Sequence, residues 1–139
     1  MSELKKKILE EMTVDHHNAL EKNFELAKQL IRITKDGKVD VLYKEKLSGK
    51  DQIMLYLIGK LYAKEAELAE SDEVGNKELL EELGIPEGSL LPWLKELRDK
   101  NKIQQIKRGR HSFHKIPINL VEKTLKEIKK KLNKKLSEG

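Results

Sequence analysis

The stretch LLEELGIPEGS, residues 79–89, decides the fold. Three leucines among its first five residues predict a short amphipathic helix, which Asn76 is expected to cap. Gly84 follows the last leucine, at a position where a left-handed residue commonly ends a helix. Residues 85–88 contain a proline and a glycine and predict a tight turn. The stretch therefore predicts two short helices joined by a turn.

The second helix of this pair has one proline that constrains where it begins. Leu90 and Leu94 lie on one predicted face, and Pro92 stands between them. A proline in a helix interior removes a donor and clashes with the preceding turn. We therefore expect Ser89 to be the N-cap of a helix over 89–101, which places Pro92 in the first turn.

The residues after this helix predict a basic hairpin. Two short strand-like runs, 103–106 and 112–116, flank a turn at Gly109. Residues 100–115 contain six Lys and Arg and no acidic residue. We call this hairpin the basic wing.

The residues before the stretch predict a long buried helix. Ser48, followed by Asp51, is a typical helix start, and the helix is expected over about 50–68. Apolar residues cover a broad part of its surface, so it should be central to the core. Residues 71–75 are expected to form a polar loop.

The N-terminal segment predicts helices followed by a hairpin. Residues 2–12 fit a short helix with an apolar side, and a second amphipathic helix is expected after Thr13, its potential N-cap. The pair Asp36-Gly37 lies between alternating apolar residues, which is a hairpin signal.

The C-terminal residues predict an amphipathic helix from Asn119 onward. Its apolar residues follow steps of three and four, and they are Ile118, Val121, Leu125, Ile128 and Leu132. Two heptads are too short for a stable isolated coiled coil. We therefore expect the seam to pack against Leu4, Ile8, Leu20 or Phe24, with a homodimer through the N- and C-terminal helices as the favoured arrangement.

The charge of the chain is unevenly distributed. Residues 1–99 contain 16 Lys and Arg against 21 Asp and Glu, a net charge of −5. Residues 100–139 contain 13 Lys and Arg against three acidic residues, a net charge of +10. This segregation indicates a polyanion-facing end or a solvated lysine-rich helix. Abundant Lys and Glu fit either a protein from a hot environment or a charge-rich surface.

Several classes of protein are disfavoured by composition. The chain has no cysteine, which excludes disulfides, thiolate zinc sites and thiol nucleophiles. No apolar run is long enough to span a membrane, and the first residues lack the apolar segment of a signal peptide. An intracellular, cytoplasmic location is the default expectation.

The order helix, short helix, turn, helix and basic wing resembles the winged helix-turn-helix domain of archaeal-type transcription regulators. The residues that carry the resemblance are the stretch 79–89, the run 94–99, and Ile103 leading into 107–110. The resemblance covers about half of the chain. It implies a mainly α fold with a small β component, divided into an N-terminal helix and hairpin extension (1–48), a winged helix domain (49–117) and a C-terminal basic amphipathic helix (118–139).

The resemblance implies duplex DNA as the partner and a role in transcription regulation. The outward face of the 89–101 helix would enter the major groove, where Ser89 and Lys95 would reach base edges and Arg98 a phosphate. The short first helix would add Lys77 at its N-terminus. The implied contacts of the wing to the DNA backbone or minor groove are Lys107, Arg108, Arg110 and His111.

Other side chains on the outward face weaken a sequence-specific interpretation. Glu96 and Asp99 would repel phosphate, and neither Leu91 nor Pro92 can hydrogen-bond a base. We therefore expect modest sequence specificity. Winged helices also serve as protein-interaction modules, and this is the alternative function.

No catalytic or cofactor site is expected. His16 and His17 are adjacent and point to different sides of a helix, so they do not converge on one metal ion. Ser48-Gly49-Lys50 lacks the upstream glycine of a phosphate-binding loop. Trp93 is expected at the edge of the core.

Overall fold

The computed structural model describes residues 2–13 and 16–138, with side chains after the gap described from residue 18. The described chain is mainly helical with two small antiparallel sheets, as predicted. The helices are α1 Glu3–Lys7, α2 His16–Lys22, α3 Phe24–Lys28, α4 Gly49–Glu65, α5 Asn76–Leu83, α6 Glu87–Asp99 and α7 Val121–Glu138. The strands are β1 Ile31–Ile33, β2 Val39–Val41, β3 Val74–Gly75, β4 Gln104–Arg108 and β5 His111–Lys115. A π-helical turn, Ile8–Met12, continues α1, and 3-10 turns lie at Lys44–Lys46 and Ile118–Leu120.

Helix α4 is the central element of the core. The side chain of Ser48 accepts a hydrogen bond from the amide of Asp51 (3.1 Å), which confirms the predicted start. Residues 53–60 are buried without interruption, as expected for a helix enclosed on all sides. The helix ends at Glu65 rather than at residue 68, because Glu67 adopts a left-handed conformation (φ 62°).

The Asp36-Gly37 signal is confirmed as a hairpin. Strands β1 and β2 pair antiparallel, with Ile31 opposite Val41. Gly37 has a φ of 81°, which the turn requires and which a side chain would strain. The hydroxyl of Thr34 also accepts a hydrogen bond from the amide of Lys38 (2.9 Å) and so closes the loop.

A buried charge network connects this hairpin to α4 and α5. Lys60 of α4 is only 7% exposed, and its ammonium lies 3.2 Å from the carboxylate of Glu78 on α5. The same ammonium donates a hydrogen bond to the carbonyl of Gly37 (2.9 Å). The hydroxyl of Tyr56 donates to the same carboxylate, and burial together with that contact raises the pKa of the phenol well above its usual value. The network therefore joins three elements at one carboxylate.

The second sheet contains a strand that the sequence did not indicate. Its order is β3-β5-β4, and β3 pairs antiparallel with β5. The prediction of a polar loop over 71–75 is therefore wrong at Val74 and Gly75. Val74 is fully buried opposite His114. A strand of two residues has no measurable alternation, so only pairing with β5 defines it.

The turn between α5 and α6 is largely as predicted. The start of α5 differs from the prediction by one residue. Gly84 is left-handed (φ 67°), and its amide donates to the carbonyl of Leu80 (3.0 Å), which confirms the glycine end of α5. The N-cap of α5 is Gly75 rather than Asn76. Asn76 is the first helical residue, and its side chain instead contacts His114.

Helix α6 begins at Glu87, so the prediction that Ser89 caps it is wrong. Pro86 is extended and acts as the N-cap residue, and its carbonyl accepts the amide of Ser89 (2.9 Å). Pro92 is consequently the sixth residue of the helix rather than a member of its first turn. Its missing N–H leaves the carbonyl of Gly88 without the usual intrahelical donor.

The C-terminal seam is buried within the chain. Val121, Leu125, Ile128 and Leu132 are all buried, and α7 packs against α2, α3 and α4. The apolar face of this seam is therefore covered within the chain, and the homodimer stays a prediction. The predicted partners Leu4 and Ile8 remain exposed on the N-terminal helix, and Leu20 is buried.

The three predicted segments share one core. Its cluster of buried apolar residues includes Leu30 from the N-terminal segment, Leu57 from α4 and Leu125 from α7. The predicted boundaries near residues 48 and 117 therefore do not separate independent hydrophobic cores.

A close approach at Gly59 gives the first prediction. A Cβ built on Gly59 would lie 2.5 Å from a methyl group of Val39 and 3.0 Å from one of Ile31, so β1 and β2 pack directly on the helix backbone. We expect Gly59→Ala to lower the free energy of unfolding by about 1–3 kcal/mol, the usual cost of overpacking. Chemical denaturation measures this change.

The control is Gly88→Ala in α6, where an added Cβ meets no atom within 4 Å. This variant should be unchanged or more stable by about 0.5–1 kcal/mol, because alanine favours the helix. Equal effects of the two substitutions would contradict the packing argument.

Candidate nucleic-acid interface

A groove lies between the outward face of α6 and one face of the β4–β5 hairpin. Its volume is about 450 Å³. Helix α6 contributes Leu91, Lys95 and Arg98, which are spaced by four and three residues and share one side of the helix. The hairpin contributes Gln105 and Ser112. We call this surface the α6–hairpin groove.

The two basic residues of α6 differ in how they are paired. The ammonium of Lys95 lies 2.7 Å from the carboxylate of Asp99, one turn further along the exposed helix surface. Within the described part of the chain, no carboxylate pairs with the half-buried guanidinium of Arg98. Arg98 therefore carries the uncompensated positive charge of this helix face.

Glu96 does not oppose an anion at the groove, contrary to the sequence-based expectation. Its carboxylate lies 2.8 Å from the ammonium of Lys50 on α4 and 3.0 Å from that of Lys100. These two hydrogen bonds lower the pKa of Glu96 to about 2. The residue is therefore a paired link between α6 and α4.

Strand alternation divides the basic residues of the hairpin between its two faces. Successive side chains of a strand point to opposite sides of the sheet. Gln105 and Lys107 share the face that lines the groove, together with Ser112, which is opposite Lys107 in the register. Arg108 and His111 are opposite each other and share the other face.

Arg108 is held on the far side of the hairpin by two contacts. Its guanidinium lies 2.7 Å from the carboxylate of Glu73 and 5.7 Å from the ring centre of Phe113. The Glu73 carboxylate raises the pKa of Arg108, and the guanidinium lowers the pKa of Glu73. The residue therefore stabilises the hairpin and does not line the groove.

The hairpin tip follows the expected geometry. Gly109 is left-handed (φ 63°) and, with Arg110, forms the two-residue connection between Arg108 and His111. A glycine with positive φ at the first central position is typical of a tight hairpin turn. Arg110 is exposed at this tip.

Two further predicted contacts, Ser89 and Lys77, also lie outside the groove. Ser89 is half-buried in the first turn of α6. Lys77 is highly exposed near the start of α5, where its ammonium lies 3.9 Å from the carboxylate of Glu81. Of the predicted set, Lys95 and Arg98 line the groove, and Lys107 lies on the same face of the hairpin as the lining residues Gln105 and Ser112.

The predicted site did not include His114 and Gln105. His114 is 1% exposed and lines the base of the groove, where its Nε2 atom lies 2.6 Å from the side-chain oxygen of Asn76. With the amide oxygen of Asn76 as the acceptor, Nε2 is the protonated ring nitrogen. Burial, with the positive charge of Arg98, lowers the pKa of His114 to about 4. The alternation that includes Lys107 would have placed Gln105 on the same face.

Trp93 is at the core edge, as predicted. A Cβ built on Gly49 would lie 2.1 Å from its ring, so the indole packs against the first residue of α4. The ring is thus occupied by an internal contact.

Comparison with protein-family models, with curated proteins and with solved structures finds no match to this chain. Within the described residues, no three His, Asp or Glu side chains converge as a metal site would require. The same part of the chain contains no helix with the length and apolar character needed to cross a membrane.

The buried histidine gives a prediction of pH dependence. The pKa of His114 is about 4 in the folded chain against 6.5 normally, so its contribution to stability is complete above pH 6.5 and lost as the pH falls to about 4. Between pH 7 and pH 5, only the unfolded chain gains this proton. We expect the free energy of unfolding to fall by about 2 kcal/mol over that range from this residue alone.

Urea denaturation at both pH values measures this loss. His114→Gln should remove the histidine-dependent part of the loss, whereas His111→Gln, at an exposed position of the same strand, should retain it. Equal pH dependence of the two variants would refute the assignment to His114.

Proposed function

We propose that this chain binds duplex DNA through the α6–hairpin groove and acts as a transcription regulator. The single observation that carries the proposal is a groove lined by Lys95 and Arg98 of a helix and bordered by the hairpin face on which strand alternation places Lys107. A phosphate backbone requires such a row of cations, because most of the affinity for DNA comes from neutralised phosphates.

The proposed domain is a winged helix over residues 49–117. Helix α4, strand β3, helices α5 and α6 and the β4–β5 hairpin occur in the order that this fold requires. In such a domain the second helix of the pair enters the major groove. Helix α6 is the corresponding element here, and its exposed side carries Lys95 and half-buried Arg98.

The proposed contacts differ from one another in role. Arg98 and Lys107 bind phosphates, and Lys95 binds a phosphate after releasing Asp99. Gln105, which donates to the hydroxyl of Ser112 (2.9 Å), is a groove side chain with the capacity to read a base edge, because its amide both donates and accepts. Arg110 extends the row of positive charge at the hairpin tip.

The net charge of +10 over residues 100–139 supports the same proposal. Such a field attracts a polyanion before any specific contact forms. The exposed lysines of α7 contribute to it without lining the groove.

A second candidate function is a protein-docking winged helix. The observation that favours it is Leu91, which is 59% exposed on the groove side of α6 beside exposed Pro92. An apolar pair at this position suits a protein surface better than a base edge.

A homodimer also belongs to the proposal, because paired domains read paired half-sites. With the α7 seam buried, the exposed apolar side chains of the N-terminal helix offer one apolar surface for it.

The groove assignment is tested by duplex DNA binding over a range of salt concentrations. We expect Arg98→Ala combined with Lys107→Ala to weaken binding by about 1–3 kcal/mol, through lost charge-assisted contacts. The dependence on salt should become shallower by about one to two units, one for each lost phosphate contact.

A matched control separates this effect from general electrostatics. Lys123→Ala with Lys130→Ala removes two exposed charges from α7. This variant should change binding less than the groove variant does. If the parent protein does not bind duplex DNA, protein docking becomes the leading function.

Weak sequence discrimination is a separate prediction. Leu91 and Pro92 cannot form hydrogen bonds to bases through their side chains, so most of the groove contacts on α6 are to the backbone. Competition between random duplexes and the best duplex from selection should give a preference below roughly a thousandfold, the lower end for specific binders. A larger preference would contradict this account of α6.

A further inference from the structure

The floor of the α6–hairpin groove contains a buried polar atom without a partner. His114 lines the groove and is 1% exposed, and its Nδ1 atom has no hydrogen-bond partner among the described residues. The other ring nitrogen, Nε2, lies 2.6 Å from the side-chain oxygen of Asn76. A buried polar atom without a partner destabilises a fold, and such atoms are rare in native structures. The free Nδ1 therefore requires an explanation beyond packing.

The groove places this nitrogen beside an uncompensated cation. Among the described residues that line the groove, none is an aspartate or a glutamate. Lys95 is already paired with Asp99. The positive charge of Arg98 acts on the imidazole of His114, and no carboxylate of the described chain pairs with that guanidinium. The groove thus combines an unpaired cation with an unpartnered nitrogen.

The other charged groups around β5 do not compensate Arg98. On the elements that pack against β5 or face it across the groove, these groups are paired or exposed. The pairs are Lys60 with Glu78, Lys77 with Glu81, Arg108 with Glu73, Lys115 with Asp72, Lys50 with Glu96 and Lys131 with Asp51. The exposed groups are Lys64, Glu65, Glu82, Glu87, Lys107 and His111. The phenols of α4, Tyr56 and Tyr62, donate to Glu78 and to the carbonyl of Leu20.

A phosphate bound at Arg98 would change which form of His114 is favoured. In the folded chain, burial and the charge of Arg98 lower the pKa of His114 to about 4, so the imidazole is neutral and Nδ1 carries a lone pair. A phosphate cancels the guanidinium charge and adds a negative charge to the groove, and both changes favour the imidazolium. Protonated Nδ1 donates a charge-assisted hydrogen bond, and a phosphate oxygen is a strong acceptor for it. The phosphate therefore supplies the partner that Nδ1 lacks.

We propose that the α6–hairpin groove binds a phosphate group together with one proton. The guanidinium of Arg98 pairs with the phosphate, and Nδ1 of His114 takes a proton from the solution and donates it to a phosphate oxygen as a hydrogen bond. One N–H bond forms, and no other covalent bond changes. The inference rests on the proposed function for the source of this phosphate, the backbone of duplex DNA. A free phosphate ion presents the same oxygens.

Proton uptake strengthens binding at lower pH, because the complex holds more protons than its free components do. The pKa of His114 is about 4 in the free chain, and we expect it to return to about its ordinary value of 6.5 in the complex. The affinity for duplex DNA should then rise about fourfold from pH 7.5 to pH 6 at constant salt. Arginine–phosphate contacts alone predict no such change, because an arginine stays protonated and a phosphodiester keeps its charge in this range.

Isothermal titration calorimetry of the full chain with duplex DNA measures the proton uptake. Titrations at pH 6 in buffers of different ionisation enthalpy should show uptake of about 0.75 proton per chain, falling to about 0.1 at pH 7.5. His114→Gln should lose this uptake, so its affinity should change less with pH than that of the parent chain. His111→Gln, at an exposed position of the same strand, should retain it.

Histidine-selective NMR follows His114 in the parent chain, so this measurement does not depend on the folding of a variant. When duplex DNA is added at pH 6, the Nδ1 resonance of His114 should move from the position of a neutral imidazole to that of an imidazolium. The midpoint of its pH titration should rise at the same time.

Inorganic sulfate tests whether a free anion is also a source. Sulfate has the tetrahedral oxygens of phosphate and does not titrate in this range, whereas a phosphate monoester does. If a free anion suffices, sulfate raises the His114 midpoint relative to chloride at equal ionic strength. Arg98→Ala should abolish that rise, and Lys123→Ala, which removes an exposed cation of α7, should retain it. A rise with duplex DNA alone identifies the nucleic-acid backbone as the source.

The outcomes separate this inference from the proposed function. Duplex binding without proton uptake, and without a change at His114, overturns the inference and leaves the DNA-binding proposal standing. A sulfate-induced rise that requires Arg98, in a chain that does not bind duplex DNA, supports the phosphate site and contradicts the proposed function. Proton uptake that persists in His114→Gln shows that another group takes up the proton, and it also overturns the inference.

Discussion

The carboxylate of Glu78 is the contact on which the arrangement of the helices depends. It compensates the buried ammonium of Lys60, and an unpaired buried charge of this kind would cost several kcal/mol. Because Lys60 also binds the carbonyl of Gly37, one interaction fixes the β1–β2 hairpin, α4 and α5 relative to one another. Helix α6 follows α5 after a three-residue connection, so the placement of the α6–hairpin groove depends on the same contact.

Elements with strong local signals could be predicted from the sequence. The Asp36-Gly37 turn, the Ser48 cap and the Gly84 helix end each depend on residues adjacent in sequence, and all three are confirmed. The failures have different causes. Strand β3 exists through its tertiary pairing with β5. Helix α6 starts at Glu87 because Pro86, its neighbour in sequence, supplies the first acceptor.

The candidate site was predictable to a similar extent. The period of α6 placed Lys95 and Arg98 on one side, and strand alternation is sufficient to place Lys107 on the hairpin face that borders the groove. The pairing of Arg108 with Glu73, a residue 35 positions earlier, left no local signal. The same is true of Glu96, whose main partner is Lys50 on another helix. Charge counts along a sequence therefore overstate the number of cations available to a ligand.

The contact between Arg108 and Glu73 has a consequence for association. A two-stranded hairpin alone is at best marginally stable, and ordering it on encounter would consume part of the binding free energy. The ion pair links Arg108 of this hairpin to Glu73, which directly precedes β3. The guanidinium also lies over the ring of Phe113. Any ligand of the α6–hairpin groove thus meets a preorganised surface, and the conformational entropy of the hairpin has already been lost during folding.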